Sequence, residues 1–240
     1  SCEASNHDRW NKKGDLHWKS DSVIKYYYEC TYPHSRKPGM IDLSKTIKKT
    51  NDQYFPKLRE VGYLEPTTNT GLSYKEAVIT SMNNLSSEGA IFIGYNVKYG
   101  NAMGTLKDVP EDQKIETPVA ENLMSGLGIG MSFEGFKPVL YFERHDFMLV
   151  AADAIINHID KIERISHGEF KVPLIIRAVT ADGGPFYSGI THSQDFTELF
   201  RKGVSFPVLD PLNGDEVMQA FNGAKKSKRP MMIIERKSRY

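Results

Sequence analysis

From Ser73 onward the apolar positions alternate between two rhythms, one of period 3.6 and one of short continuous runs. Ser73-Tyr74-Lys75-Glu76 fits a capping box, and Ala77, Val78, Met82 and Leu85 continue one helical face. Gly89-Ala90-Ile91-Phe92-Ile93-Gly94 is a run suited to a buried parallel strand. Residues 95–110, punctuated by Gly100 and Gly104, read as a loop. A short strand at Lys114-Ile115-Glu116 must stop at Pro118, which fixes its own φ and keeps Thr117 out of the α region. Leu123, Leu127 and Met131 then recur at helical spacing up to about Gly135. Gly126, Gly128 and Gly130 lie between them, each costing the helix about 1 kcal/mol against Ala, which close backbone packing would offset.

The remainder keeps the alternation. Strands are expected over residues 137–142, 172–179, 206–209 and 230–235. Helices are expected from Asp146 to about Ile165, over 195–201 and over 215–224. In the first of these Ala151, Ala152, Ile155, Ile159 and Ile162 share one face. Residues 181–193 form a Gly-rich loop. Strands alternating with helices predict an α/β domain: a parallel β-sheet with helices on both faces, joined by right-handed crossovers.

Residues 1–71 differ from the 72–240 domain, being polar and rich in Lys, Asn, Asp and Tyr. Val23 to Tyr28 is a strand or a helix turn, Asp42-Leu43-Ser44 caps a helix reaching about Thr50, and residues 53–61 form another short helix. Residues 66–71 read as a linker. Cys2, His7, His17, Cys30 and His34 match no closed zinc spacing, so no metal site is assigned. An extension that wraps a partner subunit is the expected use of this segment.

Net charge is +1 over 240 residues, with a quarter of them charged, which gives no basic stripe for nucleic acid. No apolar run is long enough to span a bilayer. Two cysteines are too few for a disulfide scaffold, and a reduced, cytoplasmic setting is the expectation.

Glu121 stands in the first turn after the strand that ends at Glu116, on the side where α/β sheets place their ligand sites. Taken alone, it is also what a helix dipole favours. The downstream pieces change its meaning: Gly135-Phe136-Lys137-Pro138, Asp146-Phe147, Asp153-Ala154-Ile155-Ile156-Asn157, Pro173-Leu174-Ile175-Ile176-Arg177 and His192-Ser193-Gln194. In this order and spacing residues 72–240 resemble the pyrimidine-binding domain of thiamine diphosphate enzymes, most closely the β subunit of the 2-oxoacid dehydrogenase first component. Transketolase is a more distant likeness.

The resemblance implies thiamine diphosphate as cofactor, with the protein orienting it and tuning its electronics. The family's Glu in Thr-Pro-x-x-Glu hydrogen-bonds N1′ of the cofactor pyrimidine, and the matching residue is Glu121. Phe147 matches an aromatic that walls the pyrimidine, a contact of roughly 0.5–1.5 kcal/mol beyond area burial. His192 matches a substrate-channel histidine able to steady an oxyanion or pass a proton. Glu143 falls where relatives have a residue touching the pyrimidine.

Glu143-Arg144-His145-Asp146 is the main departure, since relatives carry mostly apolar or aromatic side chains there. Either the pocket is more polar, or these residues serve a different substrate, or they pair with each other. The Gly-Asp-Gly stretch with a downstream Asn that would hold the diphosphate and Mg²⁺ is missing. The family's further C-terminal domain is not expected either. The resemblance therefore implies half of a composite site, completed by an α-type subunit that carries the diphosphate and Mg²⁺, with a β homodimer inside a heterotetramer. The implied reaction is decarboxylation and dehydrogenation of a 2-oxo acid. A split transketolase, a 2-oxoacid decarboxylase and a non-catalytic scaffold are the alternatives.

Overall fold

The computed structural model describes residues 69–183 and 188–240. The expectations for residues 1–68, including the helices and the linker, lie outside the described residues. Six parallel strands form one sheet in the order β2-β1-β3-β4-β6-β5. They are β1 (Ile91–Gly94), β2 (Lys114–Glu116), β3 (Pro138–Phe142), β4 (Ile175–Thr180), β5 (Val208–Leu209) and β6 (Met231–Arg236). Each strand expected from the sequence overlaps one of them, β4 and β6 running one residue further than expected. β3 and β4 are buried along their whole length, as strands covered on both faces must be.

Alternation along the strands sorts the core into two layers. Phe92, Val139, Tyr141, Ile175 and Ile233 face α1 (Tyr74–Ser87) and the last helix (Gly214–Lys226). Ile93, Leu140, Phe142, Ile176 and Ile234 face α2 (Glu121–Phe133) and the segments after β3. α1 starts with the expected capping box, Ser73 and Glu76 exchanging side-chain and backbone bonds. Among the described residues no helix is long and apolar enough to cross a membrane.

Three features depart from the sequence pattern. The first concerns α2. Leu123, Leu127 and Met131 announce this helix, yet Leu123 is 61% exposed and Leu127 37%. The face it buries carries Glu121, Met124, Ser125, Gly128 and Ser132. α2 lies so close to β3 that a Cβ on Gly128 would sit 2.7 Å from Leu140 Cδ2, whereas Gly126 and Gly130 meet nothing within 4 Å. Close packing therefore accounts for one glycine of the three.

The second departure replaces the helix expected from Asp146 to Ile165. A single turn, α3 (His145–Met148), is followed by a π-helical stretch at Ala154–Ile159 and another turn, α4 (Ile162–Ile165). The Asp160 amide reaches back five residues to the Ile155 carbonyl at 3.1 Å, the wide bond that marks a π-bulge. α3 is tied sideways to residues 194–196: His145 Nδ1 accepts the Phe196 amide at 3.1 Å and Asp146 accepts both nitrogens of Gln194. That tether fixes the first turn to the 194–196 segment.

The third lies inside the 95–110 loop. Asn101, Ala102, Met103 and Gly104 have φ of 50°, 47°, 59° and 79°, one turn of left-handed helix. Each non-glycine residue there costs roughly 1–2 kcal/mol. The turn is held by Ala102 N donating to Asn96 O, Leu106 N donating to Asn101 O, and Lys114 Nζ donating to Asn101 Oδ1, each at 2.9 Å. Glu116 fixes the start of the loop by accepting the amides of Asn96 (2.5 Å) and Lys98 (2.7 Å). The remaining helix, α5, spans Thr197–Gly203, and the last, Gly214–Lys226, is α6.

Candidate functional site

The carboxyl ends of β1, β2 and β3 open onto a small cleft that is continuous with solvent. It is lined by Tyr95, Thr117, Pro118, Ala120, Glu121, Met124, Tyr141, Phe142, Glu143 and Phe147. Local sequence explains the arrangement. The Thr117 amide still bonds Gly94 O at 3.0 Å, extending the strand pairing by one residue. Pro118 then ends it, and Ala120, at φ −150° and ψ 72°, turns the chain into α2 with no side-chain cap. Glu121 is thus the first helical residue. Ser125 Oγ donates to the Glu121 carbonyl at 2.9 Å, and the small side chains behind it let the helix end seat against β3.

Glu121 is 8% exposed. Its carboxylate has no hydrogen-bond or ion-pair partner among the described residues. The residue is nearly buried while its carboxylate oxygens reach the cleft, where a further polar group can meet them. The helix N-terminus favours the charge through its dipole. Beside it Met124 and Phe142 give apolar wall, and Phe147 closes the cleft from α3.

Of the residues singled out from sequence, Glu121, Glu143 and Phe147 all line this cleft. His192 lies at its rim: its ring meets Phe147 edge-on, centroids 5.4 Å apart at 86°. Thr191 Oγ1 sits 2.9 Å from His192 Nδ1, and the His192 amide bonds Gly189 O at 3.1 Å. Tyr95 was not singled out, although it follows the last residue of β1 and the strand-end rule that found Glu121 would have found it too.

The polar run after β3 does several jobs at once. Glu143 faces the cleft, and Arg144 approaches its carboxylate only to 4.0 Å. Arg144 Nη2 donates to Ser188 Oγ at 3.3 Å. His145 is fully buried and Asp146 holds Gln194. Three of the four residues therefore bind the 188–197 segment that carries His192. With the Phe196 amide on Nδ1, a neutral His145 ring carries its proton on Nε2, which is buried without a partner. Asp195 Oδ1 lies 3.5 Å from Nδ1. The Asp195 carboxyl is held well below the usual carboxylate range by the Thr197 amide and Arg236, which donate to it at 2.8 Å each; His145 Nδ1, already an acceptor, has no proton to offer it.

Deeper in the sheet Arg177 and Glu235 form a fully buried ion pair, Nε–Oε1 2.6 Å and Nη2–Oε2 2.9 Å. Arg177 Nη2 also donates to Thr105 Oγ1 at 3.0 Å, and Tyr240 donates its hydroxyl to Glu235. The pair thereby joins β4 and β6 to the residue that follows the left-handed turn. Among the described residues no group of His, Cys, Asp and Glu is placed to hold a metal ion.

Comparison with known proteins gives three kinds of likeness. The family model described as "Transketolase, pyrimidine binding domain" matches residues 68–240. The chain is 24% identical over 176 residues to the pyruvate dehydrogenase E1 component subunit beta-1, mitochondrial, of Oryza sativa subsp. japonica, covering 70% of this chain and 46% of that one. It is 26% identical over 137 residues to the 2-oxoisovalerate dehydrogenase subunit beta of Bacillus subtilis, covering 57% of this chain and 41% of that one. The chain thus spans less than half the length of these relatives. A solved structure described as "Split gene transketolase, inactive beta4 tetramer" superimposes with a TM-score of 0.55 at 17% identity, covering 69% of this chain and 51% of the other.

Proposed function

The chain belongs to the family of transketolase pyrimidine-binding domains, and from that membership we propose that it is the pyrimidine-side subunit of a composite thiamine diphosphate enzyme acting on a 2-oxo acid. The observation that carries the reading is Glu121, 8% exposed and lining the cleft with no ion-pair partner among the described residues. The donor set fits the pyrimidine half of the cofactor: one acid, an aromatic wall in Phe147, and apolar sides from Met124 and Phe142. Bound there, thiamine diphosphate would supply carbanion chemistry that no protein side chain offers.

Within this reading each side chain has a stated task. Glu121 would hold the pyrimidine ring nitrogen N1′ by a hydrogen bond and so favour its protonated form. Phe147 would wall the ring and exclude water. Glu143 offers a second polar contact at the cleft wall. His192, reached through Phe147, steadies charge or carries a proton on the substrate side. A second polypeptide of α type brings the diphosphate half and its Mg²⁺, and this chain pairs with a second copy in the assembly. The polar side chains Glu143 and Arg144 favour one other reading, a split transketolase handling a hydroxylated ketose. A scaffold role has no use for a buried, unpaired acid.

Calorimetric titration tests the composite site. The isolated chain is expected to bind thiamine diphosphate with Mg²⁺ weakly, and to bind it tightly once a chain carrying the diphosphate half is added. Tight unaided binding would overturn the half-site reading.

A further inference from the structure

Resting on the reading of His192 as the substrate-side group, we propose that His145 is a positioning residue, a buried hydrogen-bond acceptor on α3 that sets His192 at the rim of the cleft. Consecutive residues of α3 hold alternate residues of the segment that follows β4. His145 Nδ1 accepts the Phe196 amide at 3.1 Å. Asp146 accepts the Gln194 amide at 3.3 Å and Gln194 Nε2 at 2.7 Å. Phe147 meets the His192 ring, centroids 5.4 Å apart. One step along α3 is thus two steps back along the segment. Phe147 also lines the cleft, so α3 fixes the cleft wall and the histidine beside it in one frame.

Burial alone does not call for a polar side chain at this position. His145 is 0% exposed, and Phe142 and Met148, on either side of it in the chain, belong to the apolar layer beneath α2. Its Nε2 is buried with no partner among the described residues. An orphaned buried donor is a cost that a phenyl or alkyl side chain would avoid. What the imidazole offers in return is its other nitrogen. Nδ1 accepts only while it carries no proton, which places the ring proton on Nε2.

The segment needs such an anchor. The His192 amide bonds Gly189 O at 3.1 Å, and Thr191 Oγ1 sits 2.9 Å from His192 Nδ1. Both contacts are internal to the turn and do not tie it to the sheet. Arg144 and Thr180 add longer bonds, each at 3.3 Å, to Ser188 Oγ and to the Gln194 carbonyl. Beyond Phe196 the chain is fixed by Asp195, which takes Arg236 Nη1 at 2.8 Å at the end of β6. Gln194 is exposed, so water can replace Asp146 there. No water reaches the fully buried His145, and its bond to Phe196 has no substitute once the acceptor is removed.

Two measurements test the assignment. In the full chain, amide hydrogen exchange is followed at Phe196 and the ring-proton shift at His192. H145F keeps an aromatic ring and removes the acceptor. Protection of the Phe196 amide should fall about fivefold, as for one net hydrogen bond, with the β4 amides unchanged and the His192 ring proton moved toward its free value. H145N, whose Oδ1 can take the place of Nδ1, should restore both. In the enzyme assembled with its partner chain, H145F should lower kcat about tenfold or more with KM little changed, as for a misplaced group. Because His145 acts through His192, the H145F/H192A enzyme should turn over within about twofold of H192A alone. Should H145F fail to fold, H145L, smaller and equally without an acceptor, carries the same predictions. Unchanged Phe196 protection, an additive double variant, or an H192A enzyme as active as the parent each overturns the proposal. None of these results touches the role of Glu121, which is read by its own substitution.

Discussion

Replacing Glu235 by Gln would leave the Arg177 guanidinium inside the sheet with its charge uncompensated. Both side chains are 0% exposed and bonded twice to each other. Glutamine keeps the shape and one acceptor oxygen but removes the charge. Breaking a buried pair from one side costs about 3–5 kcal/mol, chiefly because the remaining ion is stranded. Domains of this size have about 5–15 kcal/mol in total, so much of the margin would go. Urea denaturation measures the difference, and melting should fall by roughly 6–20 °C at about 2–4 °C per kcal/mol. The double variant R177M/E235L removes both charges and should recover most of the loss, since a well-packed apolar pair is often neutral or better. A cost for E235Q below about 1 kcal/mol, or a double variant worse than both singles, would refute the account of an enclosed, tightly fitted pair.

Two further outcomes follow from local geometry. Gly128→Ala puts a methyl group 2.7 Å from Leu140 Cδ2; overpacking of about 1–3 kcal/mol less about 1 kcal/mol of helix propensity predicts a small net loss by urea denaturation. Adding Leu140→Val should cost less than the sum of the two singles. For Asp195 the sign is set by its lowered pKa, caused by the Thr197 amide and Arg236 that donate to it. The folded chain binds fewer protons there than the unfolded one, so the stabilisation is complete above about pH 4 and lost on further acidification. The stability gap between the parent and D195N should therefore stay level from neutral pH to about pH 5 and narrow below about pH 4; a gap that widens on acidification would contradict the network.

The sheet was legible because most of its strands are short, largely apolar and buried runs, and Glu121 because a strand, a proline and a helix start follow one another within eight residues of Lys114. What escaped is what tertiary contact decides. Ala151, Ile155, Ile159 and Ile162 keep helical spacing, and that pattern is blind to the wider turn at Ala154–Ile159. Only Gly104 hinted at the left-handed turn, since Ala102 and Met103 have no intrinsic reason to adopt it. α2 revealed itself through leucines that it leaves exposed, while the residues it buries are small ones that sequence scales pass over. The Arg144, Asp195 and Arg236 rim gathers the ends of two strands and one loop, which no local window contains.

The central claim is that Glu121 acts on the cofactor pyrimidine rather than merely starting a helix. Steady-state turnover of the assembled enzyme, parent against Glu121→Gln, tests it most directly, with cofactor affinity and assembly measured on the same samples. Gln preserves the shape and the helix start but cannot hold the shared proton. Turnover should fall by about 100- to 10,000-fold, the range for a lost acid–base group, with assembly intact. Unchanged turnover in a fully assembled, cofactor-loaded Glu121→Gln enzyme would contradict the account.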